Sequence, residues 1–182
     1  GLFDWVESLS DCYLPQNKMI EKEKSINRYA LFDSLYDQNT KKILNLKDPE
    51  KTSFFLKKEI DEVIMEYGLE NNKEYIRHKR HGRDKRLGKN QRLAVWEIYE
   101  KYQTYLQENK LTSYPKMMMS MLQIIQKPDF EFKMDALFVD EIQDMTPVNI
   151  KMISALRKDK DALCILAGDF KQSIYRKSFR WN

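Results

Sequence analysis

The chain has 182 residues, of which 42% are hydrophobic, so it can form one domain or a domain with a subdomain. No run of eighteen apolar residues occurs, so we expect no membrane span and no membrane partner. The two cysteines, Cys12 and Cys164, lie far apart in the sequence, and Cys164 lies within a predicted buried strand, so we expect reduced thiols in a cytoplasmic protein. We also expect a bacterial origin.

Basic charge is gathered in two segments of the chain. The formal net charge is +4, yet nine Lys or Arg residues and two acidic residues lie between Lys73 and Arg92. Four more basic residues and one acidic residue lie between Gly168 and Asn182, so the remainder of the chain is net acidic. This distribution indicates contact with a polyanion such as nucleic acid. The alternative for the first segment is a solvated surface loop.

Apolar residues recur at helical spacing through most of the first 130 positions. A short amphipathic helix is expected before Pro15. Further helices are predicted over Met19–Tyr36, Ser53–Tyr67, Asn90–Asn109 and Tyr114–Gln126. Gly82 and Gly88 interrupt the periodicity and predict a loop or short pieces joined by turns. Core packing is the expected role of the helical aromatic residues such as Trp96, with base stacking as the alternative.

Two short apolar runs, Ala136–Val139 and Ala162–Ala167, predict buried strands of a parallel sheet. The first run is followed directly by Asp140 and Glu141, and the second by a glycine and Asp169. Ligands of parallel sheets bind beyond the carboxyl ends of the strands. The acidic residues therefore mark a candidate ligand site.

A helix is predicted between the two strands. Thr146 suits the N-cap and Pro147 the first helical position. Val148 and Met152 begin an apolar stripe at helical spacing. We expect this arrangement of a strand, a helix and a second strand, with carboxylates at both strand ends, to form half of a nucleotide-binding site.

These residues carry a family resemblance. The segment 139–147, which reads VDEIQDMTP, resembles the Walker B segment (motif II) of the UvrD/Rep-like superfamily 1 DNA helicases. The segment 168–175, which reads GDFKQSIY, resembles their motif III. The resemblance implies an α/β, mostly helical fold, in which a helical subdomain is attached to a partial RecA-like P-loop NTPase sheet. We expect the helical insertion subdomain at residues 1–130 and the partial motor lobe at 131–182.

The resemblance also implies ATP and Mg²⁺ as cofactors of the intact protein. By this resemblance, Asp140 binds Mg²⁺ through a water, Glu141 polarises the attacking water, and Gln172 senses the γ-phosphate. The residues expected to orient or couple the site are Gln143, Asp144 and Asp169. A plain surface acid is the alternative for Asp144.

The segment that follows Gln172 combines aromatic rings with cations, which suits base stacking and phosphate contact. The residues expected to bind single-stranded or partly duplex DNA there are Tyr175, Phe179, Arg180 and Trp181. Packing in the core of the complete protein is the alternative for the first and last of them. In the earlier basic segment, the expected phosphate contacts are Arg83, Lys85 and Arg86.

A phosphate-binding loop of the form G-x-x-x-x-G-K-[ST] does not occur in the sequence. We therefore expect a fragment of an ATP-dependent DNA helicase whose partners include the remaining lobes of the same polypeptide. The isolated chain is expected to lack ATPase activity and to hold no cofactor tightly. Two alternatives are a non-catalytic nucleic-acid-binding module derived from a degenerate motor, and a different P-loop ATPase with the same acidic pattern.

Overall fold

The computed structural model of the chain describes residues 2–14, 17–80, 83 and 85–169. These residues are mostly helical, with two small parallel sheets of two strands each, which confirms the predicted α/β, mostly helical fold class. The chain divides into two compact units, residues 16–116 and residues 1–15 with 117–182. The division into a helical subdomain over 1–130 and a motor lobe over 131–182 stays a prediction.

The regular elements of the described residues follow one another along the chain. They are α1 (Leu2–Tyr13), β1 (Lys18–Met19), α2 (Arg28–Leu35), α3 (Gln38–Leu44), a 3₁₀ turn (Pro49–Lys51), α4 (Thr52–Glu59), a π-helical segment (Ile60–Met65), α5 (Asn72–Arg77), α6 (Lys89–Glu108), β2 (Leu111–Thr112), α7 (Tyr114–Ile125), β3 (Ala136–Val139), a 3₁₀ turn (Ile142–Asp144), α8 (Pro147–Leu156) and β4 (Leu163–Leu166). None of the helices in this described part of the chain has the length and apolarity of a membrane span.

Helix α6 contributes many of the buried side chains of the unit 16–116. Trp96, Tyr102 and Leu106 are buried, and the ring of Phe32 on α2 packs against Tyr102 with centroids 4.9 Å apart. The helix predicted over Asn90–Asn109 is thus confirmed. Its buried aromatic residues are core residues, so base stacking on Trp96 is excluded by its burial.

The helix predicted over Met19–Tyr36 is wrong in its first half. Lys18 and Met19 form β1, which pairs in parallel with β2. Helix α2 begins only at Arg28, because the side chain of Asn27 accepts hydrogen bonds from the backbone N–H groups of Tyr29 and Ala30 at 2.9 and 3.2 Å. These bonds satisfy two of the free N–H groups that every helix N-terminus carries.

The second unit contains the predicted strand, helix and strand. Strands β3 and β4 pair in parallel, with Ala136 opposite Leu163 and Val139 opposite Leu166. Helix α8 connects them, and its Pro147 follows the N-cap residue Thr146, as predicted. Four apolar residues of α8 are buried, so the predicted helix between the two strands is confirmed. They are Val148, Met152, Ile153 and Leu156.

The two strands are more exposed than their composition predicts. Phe138 is 70% exposed, and Leu163 and Ile165 are about half exposed (51% and 47%). The prediction that both strands are buried is therefore wrong for the described residues. Within the part of the chain that the structure describes, each is an edge strand of a two-stranded sheet, so neither strand is flanked on both sides.

Candidate functional site

The carboxyl ends of β3 and β4 are held together by hydrogen bonds that continue beyond the strands. The N–H of Ala167 donates to the carbonyl oxygen of Val139 at 2.7 Å, and the N–H of Ile142 donates to the carbonyl oxygen of Ala167 at 3.0 Å. The acidic residues that follow the two strands consequently lie at one edge of the sheet. The convergence expected of parallel strand ends is present here.

Asp140 and Glu141 are both exposed at this edge. The N–H of Glu141 donates to the Asp140 carboxylate (Oδ1) at 2.8 Å. Glu141 has a φ angle of 56°, in the left-handed region, which costs a residue with a side chain about 1–3 kcal/mol and is often found at functional sites. The turn separates the two carboxylates while leaving both accessible to a ligand.

Gln143 connects the ends of the two strands. Its side chain is buried; its amide nitrogen (Nε2) donates to the Glu141 carboxylate. Its amide oxygen (Oε1) accepts a hydrogen bond from the N–H of Asp169 at 3.1 Å. A carboxylate only accepts and a backbone N–H only donates, and an amide, which carries both a donor and an acceptor, satisfies both partners at once. Gln143 therefore links the carboxylate after β3 to the backbone after β4.

The side-chain amide of Gln143 lies so close to the backbone at position 168 that only glycine fits there. A Cβ atom at Gly168 would lie 2.3 Å from Oε1 of Gln143 and 2.8 Å from Cγ2 of Ile142. Any side chain here would displace Gln143 from its hydrogen bonds. Sequence reasoning treated Gly168 only as a motif residue, although a glycine between a strand and an acid is itself a sign of close backbone packing.

The structure brings together four of the predicted site residues: Asp140, Glu141, Gln143 and Asp169. Asp144 lies one turn further, in the 3₁₀ turn, where its N–H donates to the carbonyl oxygen of Glu141 at 3.0 Å. The predicted residues that lie outside the described part of the chain are Gln172, Tyr175, Phe179, Arg180 and Trp181.

The oxygen atoms of Asp140 and Glu141 fit Mg²⁺. This ion is bound through one or two carboxylates together with water and substrate phosphates, rather than by a closed protein cage. Among residues 2–14, 17–80, 83 and 85–169, no group of three or more His, Cys, Asp or Glu side chains could hold a metal ion. An exposed pair of carboxylates is the donor set expected for an ion that is shared with a nucleotide.

The described residues of the basic loop, 78–80, 83 and 85–88 within the basic segment between Lys73 and Arg92, are joined to α4 by a buried ion pair. Arg80 and Glu59 are almost fully buried, and the guanidinium of Arg80 donates two hydrogen bonds of 2.5 Å to the Glu59 carboxylate. The hydroxyl of Tyr75 donates to the same carboxylate at 2.7 Å. Burial, followed by the neighbouring Glu59 charge, raises the pKa of Tyr75. Removing any one of these partners would leave buried charge without full compensation.

Two of the three predicted phosphate contacts also make contacts within the fold. Arg83 forms an ion pair with Glu62 at 2.7 Å. The ammonium of Lys85 donates to the carbonyl oxygens at the end of α3, that of Leu44 at 2.8 Å and that of Asn45. Burial lowers the pKa of Lys85. Arg86 is exposed, and no carboxylate of the described residues pairs with it.

Comparison with known proteins gives one match. The family model described as the UvrD/REP helicase N-terminal domain matches residues 7–181, which is nearly the whole chain. No curated protein and no solved structure matches the chain.

Proposed function

Because the chain belongs to the UvrD/REP helicase N-terminal domain family, we propose that it supplies the Walker B and motif III parts of an ATP-dependent DNA helicase. The observation that carries this proposal is the convergence of the two acidic strand ends, joined by Gln143. In the intact helicase, ATP hydrolysis at this edge would drive translocation along single-stranded DNA and unwinding of the duplex.

Asp140 and Glu141 divide the chemistry between them in this proposal. Asp140 would hold Mg²⁺ through a water, and Glu141 would orient and deprotonate the water that attacks the γ-phosphate. When bound there, Mg²⁺ would supply positive charge to neutralise the β- and γ-phosphate oxygens. Gln172 is proposed to sense the γ-phosphate.

Gln143 could couple nucleotide binding to the orientation of Glu141. Its single amide contacts the Glu141 carboxylate and the backbone of Asp169, and Asp169 begins the segment that leads to Gln172. A shift of that segment on nucleotide binding would reorient Glu141. We propose that Gln143 and Asp169 transmit nucleotide state in this way, and Asp144 supports the turn.

DNA is the proposed second ligand. Arg86 is the best placed of the three predicted loop cations, since the other two already contact Glu62 and backbone carbonyl groups. The aromatic and basic residues proposed to contact the strand after motif III are Tyr175, Phe179, Arg180 and Trp181. The remaining helicase lobes are proposed as partners, and a cytoplasmic, bacterial origin stays a prediction.

ATP turnover tests the proposal. In the intact helicase, Glu141→Gln should leave nucleotide binding in place and abolish hydrolysis, because an amide cannot take the proton of the attacking water. We also propose that the 182 residues alone do not hydrolyse ATP, because they contain no G-x-x-x-x-G-K-[ST] sequence. Phosphate release above a buffer blank, with single-stranded DNA present, would contradict that second statement.

A further inference from the structure

A cavity of about 860 Å³ lies beside the basic loop, within the unit 16–116. It is lined by the segment after α3, by α4 and by the loop itself. Seven basic and two acidic residues contribute to its lining. Neither the Walker B site nor the motif III segment includes any of these residues.

The charge of the cavity is only partly neutralised by the protein. Arg80 is paired with Glu59, and Lys51 is paired with Asp48 at 2.8 Å. Lys47 and Arg86 are exposed, and among the described residues no carboxylate lies within ion-pair distance of either. Two cations at the cavity are therefore available to an anionic ligand.

An aromatic platform borders the same cavity. Phe54 lines it and is 45% exposed, and it stacks on the exposed ring of Tyr29 with centroids 6.1 Å apart and planes at 22°. The ammonium of Lys58 lies 5.4 Å from the Phe54 ring centroid. In the same unit, Trp96 and Tyr102 are buried. An exposed ring beside cations is the arrangement that binds unpaired bases and their phosphates.

We infer that this cavity binds single-stranded nucleic acid, with backbone phosphates at Lys47 and Arg86 and one base stacked on Phe54. The inference extends the proposed DNA binding to residues of α4 and of the segment before it. A single strand fits better than a duplex, because base faces are accessible only when the bases are unstacked. An acidic peptide would use the cations and leave the aromatic platform without a ligand ring.

The phosphate contacts are tested by the salt dependence of binding to the 182-residue chain. The probe is a short, fluorescently labelled oligothymidylate. Lys47→Gln with Arg86→Gln should lower the slope of log affinity against log salt by about 1.4, or about 0.7 for each phosphate. The matched control is Lys24→Gln with Lys110→Gln, which removes the same charge from exposed residues outside the cavity. Equal slopes for the two pairs would overturn the phosphate assignment.

The base contact is tested by removing the ring and the bases separately. Phe54→Leu keeps an apolar side chain without the ring and should weaken binding by about fivefold or more. An abasic oligonucleotide of the same length should bind the unchanged chain more weakly by a similar factor. It should bind the unchanged chain and Phe54→Leu equally well. Thermal unfolding monitored by circular dichroism shows that the variants remain folded.

The remaining outcomes each decide the question. Abasic and normal oligonucleotides that bind the unchanged chain equally would overturn the stacking assignment. Displacement of the oligonucleotide by polyglutamate of equal charge, with equal effect of the Phe54→Leu change on both ligands, would indicate an acidic protein partner instead. Failure of these tests would leave the Walker B proposal intact, because that proposal is measured by ATP turnover.

Discussion

Replacing Gly168 by alanine would put a methyl group where the Gln143 amide lies. The new Cβ would be 2.3 Å from Oε1 of Gln143 and 3.1 Å from the backbone nitrogen of Ile142. The amide would have to move by roughly 1 Å to reach an ordinary van der Waals distance. Its hydrogen bonds to Glu141 and to the N–H of Asp169 would then be broken.

The loss of stability caused by Gly168→Ala can be estimated from these contacts. Overpacking costs about 1–3 kcal/mol, and each of the two lost hydrogen bonds contributes about 1 kcal/mol. We therefore expect Gly168→Ala to lower the free energy of unfolding of this unit by about 3–5 kcal/mol. Urea denaturation followed by circular dichroism measures the loss, and hydrogen–deuterium exchange should localise it to residues 136–169.

Gly88→Ala is the matched control. A Cβ at Gly88 would meet its nearest atom, Oε1 of Gln91, at an ordinary 3.9 Å, and the φ angle of −72° suits alanine. Gly88 is the N-cap residue of α6, where alanine is less favourable than glycine, and this loss opposes the gain from a less flexible unfolded chain. The net change in the free energy of unfolding should therefore be less than about 1 kcal/mol in either direction. If the two variants were equally stable and equally protected from exchange, the tight packing of Gln143 against Gly168 would be refuted.

Three further predictions concern the site, the loop and the buried tyrosines. Gln143→Leu removes both bridging hydrogen bonds and should reduce ATP hydrolysis by the intact helicase about 10–100-fold; unchanged steady-state turnover would contradict a role in orienting Glu141. Glu59→Gln leaves the buried Arg80 without its counter-charge and should cost about 3 kcal/mol in urea denaturation, whereas an unchanged midpoint would contradict the ion pair's importance. Burial raises the pKa of Tyr99 and Tyr102 to about 12. The stability that their neutral forms contribute is therefore complete below about pH 10 and is lost as the pH rises to about 12. As the pH is raised, the tyrosinate absorbance of these two residues should increase only near pH 12 and together with unfolding. Ionisation of all tyrosines near pH 10 in the folded chain would contradict this.

The strand, helix and strand could be predicted from sequence because each has a local signal. The apolar runs are short and end in acid, and Thr146 with Pro147 is a strong helix-start signal. The helix predicted from Met19 starts too early, although Asn27 is itself a good N-cap for a helix that begins at Arg28. Pairing of β1 with β2 depends on residues about 90 positions apart and has no local signal.

The positions of the acidic residues at the strand ends could be predicted from the sequence, but the hydrogen bonds that connect them could not. Asp140, Glu141 and Asp169 follow from the position of acids after strands. The bridge made by Gln143 depends on the register between β3 and β4 and on the space beside Gly168, which a linear pattern does not contain. The pairing of Arg80 with Glu59 spans 21 residues, so a basic segment that reads as free charge is partly neutralised within the fold.

ATP turnover by the intact helicase with Glu141→Gln tests the central claim most directly. The account predicts nucleotide binding within about twofold of the unchanged protein and a loss of hydrolysis of about 100-fold or more. Glu131→Gln is the control, since Glu131 is exposed and lies before β3, and it should hydrolyse ATP normally. Normal turnover by the Glu141→Gln protein would contradict the assignment of this strand end as the hydrolytic site.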